Sequence, residues 1–320
     1  MWKNKTLLLL LITIIFESCG QRKLQISDPN YDWIEISHQN FVRRAVLYFP
    51  DNYEKINFTL DPNVRTFPLM IGLHGGGGDH ETFLSLSKGR LLKLKEKYGF
   101  FLVLPLGYKN HWNDGRKGRI SKSHTFNIDD VGFLLKLIEY LKKHYPIDEN
   151  RIFLFGISNG GMMAFRFACE RSETIRGFAT VATSMPVDLI SNCQSSIRKP
   201  LKFLFIHGTK DPIVPYEGGE VKVFFRSRGV VLSAEDTLDF WKKKLQCKPT
   251  KSSFLSQAKV QTEVLEFDCK KPNSMKFYKV HQGGHTWPGG LQYLPEWYVG
   301  KTADDFWAEE VMIQFFLEKN

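Results

Sequence analysis

A serine between two glycines has the setting that most clearly suggests chemistry in this sequence. The segment GISNG (156–160) follows the apolar run RIFLF and precedes a segment with helical spacing. A sharp strand-to-helix turn of this kind strains the serine and exposes its hydroxyl above the edge of a sheet. We therefore predict that Ser158 is a nucleophile. The alternative is a glycine-rich helix start that the serine caps.

An aspartate and a histidine follow in the order Ser–Asp–His, which a triad on such a sheet uses. Asp211 stands in HGTKDP, after the apolar run LKFLFI, and could orient a histidine ring and stabilise its imidazolium form. The alternative is a turn aspartate before proline. Asp129 and Asp130 precede the serine and are better explained as helix caps.

Two histidines in HQGGHTWPGG are candidate bases, and a catalytic histidine must reach the serine from a loop. His281 sits against a predicted strand end, whereas two glycines give His285 freedom to reach inward. We therefore predict that His285 is the base.

Four glycines at 75–78 follow the apolar run FPLMIGL and could direct backbone N–H groups into the same site. Donors already in place stabilise the oxyanion of an acyl-transfer intermediate. We predict that the backbones of Gly76 and Asn159 are these donors, with a flexible loop as the alternative. Trp112, Tyr216 and Trp287 lie in loops expected near the site, where they would either bind substrate with their ring faces or pack the loops.

The elements that must position these residues alternate along the chain. Apolar runs predict strands at 44–49, 67–74, 100–105, 151–155, 177–182, 201–206 and 275–280. Helical spacing predicts helices at 129–144, 159–170, from a cap at Ser233, and at 303–319. The pattern predicts an α/β fold, with a mostly parallel sheet covered by helices on both faces. Function in such sheets lies at the carboxyl ends of strands, and each motif above follows a strand.

Composition indicates one large domain. The chain has 320 residues, 42% of them hydrophobic, and 26 Phe, which is ample for a sizeable core. We predict a single domain at 32–320, after a signal peptide at 1–19 and a tether at 20–31. The net charge of +10 indicates a solvated basic surface or attraction to anionic lipid or polysaccharide. No dense Lys/Arg stripe or known motif suggests nucleic acid, and nothing in the pattern indicates an obligate protein partner.

The first residues have the pattern of an export signal. Two lysines precede an apolar run at 6–16, which is too short to span a bilayer and is followed by small residues. The alternative is a cytosolic protein with an apolar N-terminal helix. FESCG resembles a bacterial lipobox, although Phe16 stands where leucine is usual. We therefore predict lipidation of Cys19, which would make membrane lipid a partner, with simple secretion as the alternative.

The other four cysteines fit an exported protein. Cys169, Cys193, Cys247 and Cys269 form an even set that allows three pairings. We expect Cys169–Cys193 and Cys247–Cys269, because pairing neighbours closes short loops; buried free thiols are the alternative. No CxxC motif or Cys/His cluster suggests a metal.

Several motifs together resemble one known family. LHGGGG, WNDGR, DDVGF, GISNGGMMA, HGTKDPIVPYEGG and GGHTWPGG are similar to the polyhydroxybutyrate depolymerase and feruloyl esterase group of carbohydrate esterase family one, which includes secreted bacterial lipoproteins. The resemblance covers about 67–290. It implies an α/β-hydrolase fold, no metal or organic cofactor, two disulfides and ester hydrolysis by Ser158, Asp211 and His285. One departure is Gly76, where cysteine is frequent in that group.

We therefore expect a secreted or lipid-anchored serine esterase that acts on small-molecule or oligosaccharide esters. Feruloyl or acetyl esters of plant polysaccharide fragments are favoured, because no polymer-binding domain is visible. Polyhydroxybutyrate depolymerisation is the alternative. A prolyl-oligopeptidase-type peptidase would need a large extra domain, and a non-catalytic surface binding protein would not need a complete triad.

Overall fold

The computed structural model describes residues 26, 28 and 30–318, apart from 52, 54–65, 119, 194–198, 225 and 256–259. The predicted signal peptide and Cys19 lie outside the described residues. Among the helices that are described, none is long and apolar enough to cross a lipid bilayer.

Strands and helices alternate along the described part of the chain. The strands are β1 (Tyr31–His38), β2 (Phe41–Tyr48), β3 (Phe67–Leu73), β4 (Phe101–Pro105), β5 (Ile147–Ile157), β6 (Gly177–Val181), β7 (Lys202–Gly208), β8 (Gly219–Val223), β9 (Arg226–Val231), β10 (Cys247–Phe254), β11 (Gln261–Cys269) and β12 (Ser274–His281). The α-helices are α1 (His80–Leu86), α2 (Arg90–Tyr98), α3 (Lys122–Thr125), α4 (Asp130–His144), α5 (Asn159–Arg171), α6 (Ala234–Leu245), α7 (Glu296–Val299) and α8 (Ala308–Leu317).

One large sheet organises the molecule. Its strand order is β1-β2-β4-β3-β5-β6-β7-β12-β11-β10, while β8 and β9 form a separate hairpin. The run from β4 to β12 in this order is parallel. The pairings of β1 with β2, β2 with β4, β12 with β11 and β11 with β10 are antiparallel. The predicted mostly parallel sheet is confirmed, with antiparallel strands added at both edges.

Each face of the sheet is covered by helices over its own apolar core. The alternation of side chains along β5 shows the two cores directly. Ile152 and Leu154 pack in the core under α4, α5 and α6. Phe153 and Phe155 point the other way, into the core under α1, α2 and α8. Strands buried on both faces are apolar throughout, which is why the central runs could be recognised in the sequence.

Helix starts follow the predicted capping chemistry, with one refinement. Asp129 caps α4, because its side chain accepts a 2.8 Å hydrogen bond from the Gly132 N–H. Asp130 does not cap the helix; it is fully buried and pairs with Arg43 at 2.6 Å. Ser233 caps α6 by accepting from the Asp236 N–H at 2.9 Å.

The residues just before and at the start of β1 contact the domain. Tyr31 already begins β1, and Ile26 packs against the core on the α2 side. Lys95 is fully buried, and its ammonium donates to the Asp28 carboxylate at 2.9 Å and to the Phe49 carbonyl. A buried ammonium needs such partners, so Asp28 belongs to the folded domain.

Two disulfides are present, in the nearest-neighbour pairing. Cys169–Cys193 ties α5 to the segment before β7, and Cys247–Cys269 joins the paired ends of β10 and β11. Cys169 lies near the C-terminal end of α5, and the second disulfide lies at the β10 edge of the sheet.

Candidate active site

Ser158 occupies a strained turn between β5 and α5. Its backbone has φ 54° and ψ −122°, a region that non-glycine residues avoid, and its N–H donates to the Val181 carbonyl at 3.0 Å. The flanking glycines permit the turn by close approach. A Cβ on Gly156 would lie 2.6 Å from the backbone of Gly160, and one on Gly160 would lie 2.2 Å from the Leu73 carbonyl oxygen. The GISNG segment therefore folds as the sequence predicts.

Asp211 and His285 form a buried pair at the ends of neighbouring strands β7 and β12. Asp211 Oδ2 lies 2.8 Å from His285 Nδ1. The other carboxylate oxygen of Asp211 accepts from the N–H groups of Ile213 and Val214, at 2.9 and 2.8 Å. These two bonds fix the carboxylate, so that Oδ2 faces the imidazole.

The backbone of His285 is held from two further sides. Its N–H donates to the Val299 carbonyl at 2.5 Å, and the Tyr293 hydroxyl donates to its carbonyl at 3.0 Å. Burial raises the pKa of Tyr293, and the nearby charge of Asp211 raises it further, so the hydroxyl stays protonated. His281, the rejected candidate, contacts Glu263 at 3.1 Å and does not line the site.

Two adjoining cavities meet at the predicted nucleophile. Their walls share Gly76, Ser158, His285 and Tyr293. The smaller cavity has about 120 Å³ and is lined further by residues such as Phe83, Leu86 and Leu291. The larger cavity has about 690 Å³ and contains most of the polar side chains of the site. A substrate bound at Ser158 can thus place two parts of unequal size on either side of the reacting atom.

Gly76 and Asn159 lie together beside this junction. A Cβ built on Gly76 would lie 3.6 Å from the Cβ of Asn159. Asn159 is the first residue of α5, where backbone N–H groups have no partner within the helix. The next glycine is anchored, because the Gly77 N–H donates to the Asn110 carbonyl at 2.7 Å. This position suits the predicted oxyanion donors.

The side chain of Asn159 clamps the WNDGR segment. Its Oδ1 accepts from the Trp112 N–H at 2.8 Å, and its Nδ2 donates to the Trp112 carbonyl at 2.9 Å and to Asp114 at 2.6 Å. Asp114 also contacts Arg116 at 2.6 Å and His124 at 3.0 Å. Burial by itself raises the pKa of Asp114, but the Arg116 and His124 partners hold it well below its usual range. Asp114 is therefore an ionised, fully buried anchor.

His74 organises the glycine loop as a neutral ring. Its Nε2 accepts from the Gly107 N–H at 3.0 Å, and Nδ1 lies 2.8 Å from the Gly75 carbonyl, to which it donates. Burial lowers the pKa of His74 to about 4. One donor and one acceptor satisfy a neutral imidazole, so this ring is a structural support of the loop.

Three aromatic residues that would either bind substrate or pack the loops are packed within the fold. Trp112, Tyr216 and Trp287 are buried, and none lines either cavity. The Trp112 indole donates to the His74 carbonyl at 2.9 Å, and the Trp287 indole donates to Glu309 at 2.6 Å. The Tyr216 hydroxyl donates to Glu235 at 2.6 Å. Each ring is packed inside the fold, and its polar atom forms a hydrogen bond with another part of the protein.

Sequence reasoning missed several of the side chains that line the larger cavity. His111, Arg228, Phe224, Tyr293 and Tyr298 stand there, most of them in connections without a recognised motif. WNDGR drew attention to the segment next to His111, and the RSRG run contains Arg228, but neither pattern indicates where these side chains point.

A solved structure of similar architecture is the acetyl xylan esterase from Aspergillus awamori. The superposition has a TM-score of 0.52 with 13% sequence identity, and it covers 80% of this chain and 94% of that protein. The chain has the α/β-hydrolase fold. At this identity the likeness concerns the fold alone, and the α/β-hydrolase sheet explains why Ser158, Asp211 and His285 all follow its parallel strands.

Sequence comparisons point to esterases. A family model described as Phospholipase/Carboxylesterase matches 125–227, a part of this α/β-hydrolase that contains Ser158 and Asp211 but not His285. The chain is 26% identical over 185 residues to the probable feruloyl esterase C of Aspergillus niger, which covers 57% of this chain and 60% of that protein. It is 25% identical over 270 residues to the putative esterase NocK of Nocardia uniformis, covering 78% and 74%. The chain thus spans less than two thirds of the feruloyl esterases that it matches.

Proposed function

We propose that this protein is a serine carboxylic-ester hydrolase with Ser158, His285 and Asp211 as its catalytic triad. The observation that carries the proposal is the buried 2.8 Å contact between Asp211 and His285. His285 lines the same cavity as Ser158, which stands on a positive-φ turn. That arrangement serves a histidine that must take and return a proton beside a nucleophile.

The reaction proceeds in two acyl-transfer steps. His285 removes the Ser158 proton as the serine oxygen attacks the ester carbonyl carbon, and the carbonyl oxygen becomes an oxyanion. The tetrahedral intermediate collapses, and His285 donates the proton to the departing alcohol oxygen. Water then attacks the acyl-enzyme by the same route, which releases the acid and restores Ser158. Asp211 holds Nδ1–H of the ring throughout, so that Nε2 is the basic nitrogen.

Backbone N–H groups of Gly76 and Asn159 stabilise the oxyanion in this proposal. Their proximity beside Ser158 supports the assignment. A donor of this type is typically worth a factor of about 100 to 1,000 in kcat.

Ester-decorated plant polysaccharide fragments are the substrate class that we favour. The names of two relatives by sequence, feruloyl esterase C and a bifunctional acetylxylan esterase/xylanase, support feruloyl and acetyl esters. The larger cavity of about 690 Å³ supports a substrate with one bulky part. Polyhydroxybutyrate depolymerisation, the alternative that the sequence motifs suggest, becomes an outcome of the test.

We also propose that the protein is exported and anchored through Cys19. Two disulfides support an oxidising compartment, because such bonds seldom persist in the cytosol. Fatty-acid labelling of the full chain and of Cys19→Ala tests the anchor. Label that persists in the variant, or is absent from both, contradicts it.

The test of the activity is a substrate panel run on the purified protein and on Ser158→Ala. The panel contains p-nitrophenyl acetate, methyl ferulate, acetylated xylan and a hydroxybutyrate oligomer. We expect turnover of the acetyl or feruloyl esters, labelling by a fluorophosphonate probe, and loss of both in Ser158→Ala. Turnover of the hydroxybutyrate oligomer alone would indicate that the protein degrades polyester instead. Absence of turnover and of labelling would overturn the esterase proposal.

A further inference from the structure

The wall of the larger cavity contains an arginine, Arg228, whose charge no carboxylate among the described residues neutralises. Arg228 lies on β9, is partly buried, and donates through Nη1 to the Ile120 carbonyl. The other nitrogen atoms of its guanidinium have no carboxylate partner among the described residues.

The other arginine that lines this cavity is paired with a carboxylate. Arg116 and His124 both contact the buried Asp114, which cancels the charge of the arginine. The residues that line the larger cavity include no aspartate and no glutamate. A partly desolvated guanidinium in such a wall attracts an anion more strongly than an exposed one, because less water screens it.

His111 lies in the same wall and adds no charge to it at neutral pH. Burial lowers the pKa of His111. The hydrogen bond to the Lys109 carbonyl raises this pKa by a smaller amount, and the charge of Arg228 lowers it. The ring is therefore neutral at neutral pH. Its Nδ1 donates to that carbonyl at 3.1 Å, which leaves Nε2 as an acceptor near Gly76.

The unequal cavities suggest which part of an ester lies where. The smaller cavity, of about 120 Å³ with an apolar wall, suits a short acyl group. The larger cavity, with Arg228 and the stacked rings of Phe224 and Tyr298, suits the alcohol part. Aromatic faces pack well against sugar rings, and a guanidinium matches the planar fork of a carboxylate.

We propose that Arg228 binds a carboxylate on the alcohol part of the ester, so that short-chain acyl esters of uronate-bearing sugars are the preferred substrates. This inference rests on the proposed esterase function and narrows its substrate class. It assigns the discrimination between acidic and neutral esters to a residue outside the triad.

A matched pair of esters tests the charge alone. 3-Acetoxybenzoate and its methyl ester share the acetyl group and the phenolic leaving group, and differ in one negative charge. We expect wild-type kcat/KM to favour the anion and Arg228→Gln to lower kcat/KM for the anion by about tenfold or more. For the neutral ester, kcat/KM of Arg228→Gln should differ from wild type by less than about twofold, which is the size of effect that an ordinary surface substitution has.

Two variants separate charge recognition from a structural role. Arg226→Gln removes an exposed charge from the same strand and should leave both esters unchanged. Arg228→Lys keeps the charge and should retain part of the preference for the anion, which high salt should then weaken. Equal losses for both esters in Arg228→Gln, or no loss for either, would overturn the inference.

A binding measurement keeps this inference distinct from the esterase proposal. Calorimetry with Ser158→Ala and 3-acetoxybenzoate needs no turnover, and binding should weaken when Arg228→Gln is added. If wild type hydrolyses neither ester but binding depends on Arg228, the esterase proposal fails and the carboxylate site stands. If hydrolysis proceeds but binding ignores Arg228, the carboxylate site fails and the esterase proposal stands.

Discussion

The side-chain amide of Asn159 donates a 2.6 Å hydrogen bond to the carboxylate of Asp114, directly behind the nucleophile turn. This contact links the first residue of α5 to the WNDGR segment. The same amide also forms hydrogen bonds with both the N–H and the carbonyl of Trp112. A proposed oxyanion donor is therefore oriented by a buried, ionised carboxylate.

Breaking this clamp should lower kcat more than it changes KM. Asn159→Ala keeps the backbone N–H but removes three side-chain bonds, so the donor loses its fixed direction. We expect a fall in kcat of about tenfold, which corresponds to about 1.4 kcal/mol. Steady-state kinetics with p-nitrophenyl acetate measure this change. Asn150→Ala, on an exposed asparagine, is the matched control, and an unchanged kcat in Asn159→Ala would show that the clamp has no positioning role.

Neutralising the proposed triad acid should abolish most activity while preserving the fold. In Asp211→Asn an amide oxygen can still accept from Ile213 and Val214, but the amide nitrogen then faces His285 Nδ1 and favours the wrong tautomer. We expect kcat to fall by about 10⁴. Kinetics and a thermal melt measure the two effects. Asp239→Asn, on the exposed face of α6, should retain activity, and near-normal kcat in Asp211→Asn would contradict the triad.

Neutral His74 should make the protein less stable as the pH falls. Its folded-state pKa of about 4 lies below the ordinary value near 6.5. Between about pH 4 and pH 6.5, His74 is therefore protonated in the unfolded chain and neutral in the folded protein. Stability from this group is therefore complete above about pH 6.5 and declines toward pH 4, by at most about 1.4 kcal/mol per pH unit.

Urea unfolding at pH 5 and pH 7.5 measures this dependence. We expect the loss of unfolding free energy between these pH values to be smaller in His74→Gln than in wild type, by about 1 to 2 kcal/mol. His144→Gln, on an exposed histidine at the end of α4, should behave as wild type. The same loss in wild type and His74→Gln would mean that His74 titrates equally in both states.

Removing the disulfide of α5 should weaken the support beneath the nucleophile. Cys169 and Cys193 are 24 residues apart, and a bond across a loop of that size typically contributes about 3 kcal/mol. The double variant Cys169→Ala/Cys193→Ala should therefore unfold at lower urea, with kcat unchanged below the transition. The Cys247→Ala/Cys269→Ala variant provides a comparison on the far edge of the sheet, and an unchanged midpoint in the α5 variant would contradict this contribution.

Local sequence patterns predicted the elements that carry the site. Apolar runs such as RIFLF and LKFLFI correspond to β5 and β7, because strands buried on both faces must be apolar throughout. Helical spacing located α4, and the capping residues Asp129 and Ser233 were readable from their types. The strands β1, β10 and β11 were not predicted, because partly exposed strands at or next to the sheet edges mix polar and apolar residues.

The sequence by itself determined the serine turn and the order of Ser158, Asp211 and His285, because a turn conformation and a position after a strand are local properties of the chain. Only the tertiary structure decided where loop side chains point. It buried Trp112, Tyr216 and Trp287 in the fold and placed Arg228 in the cavity wall. The destination of a loop side chain depends on the packing of elements distant in the chain, and no local spacing encodes that packing.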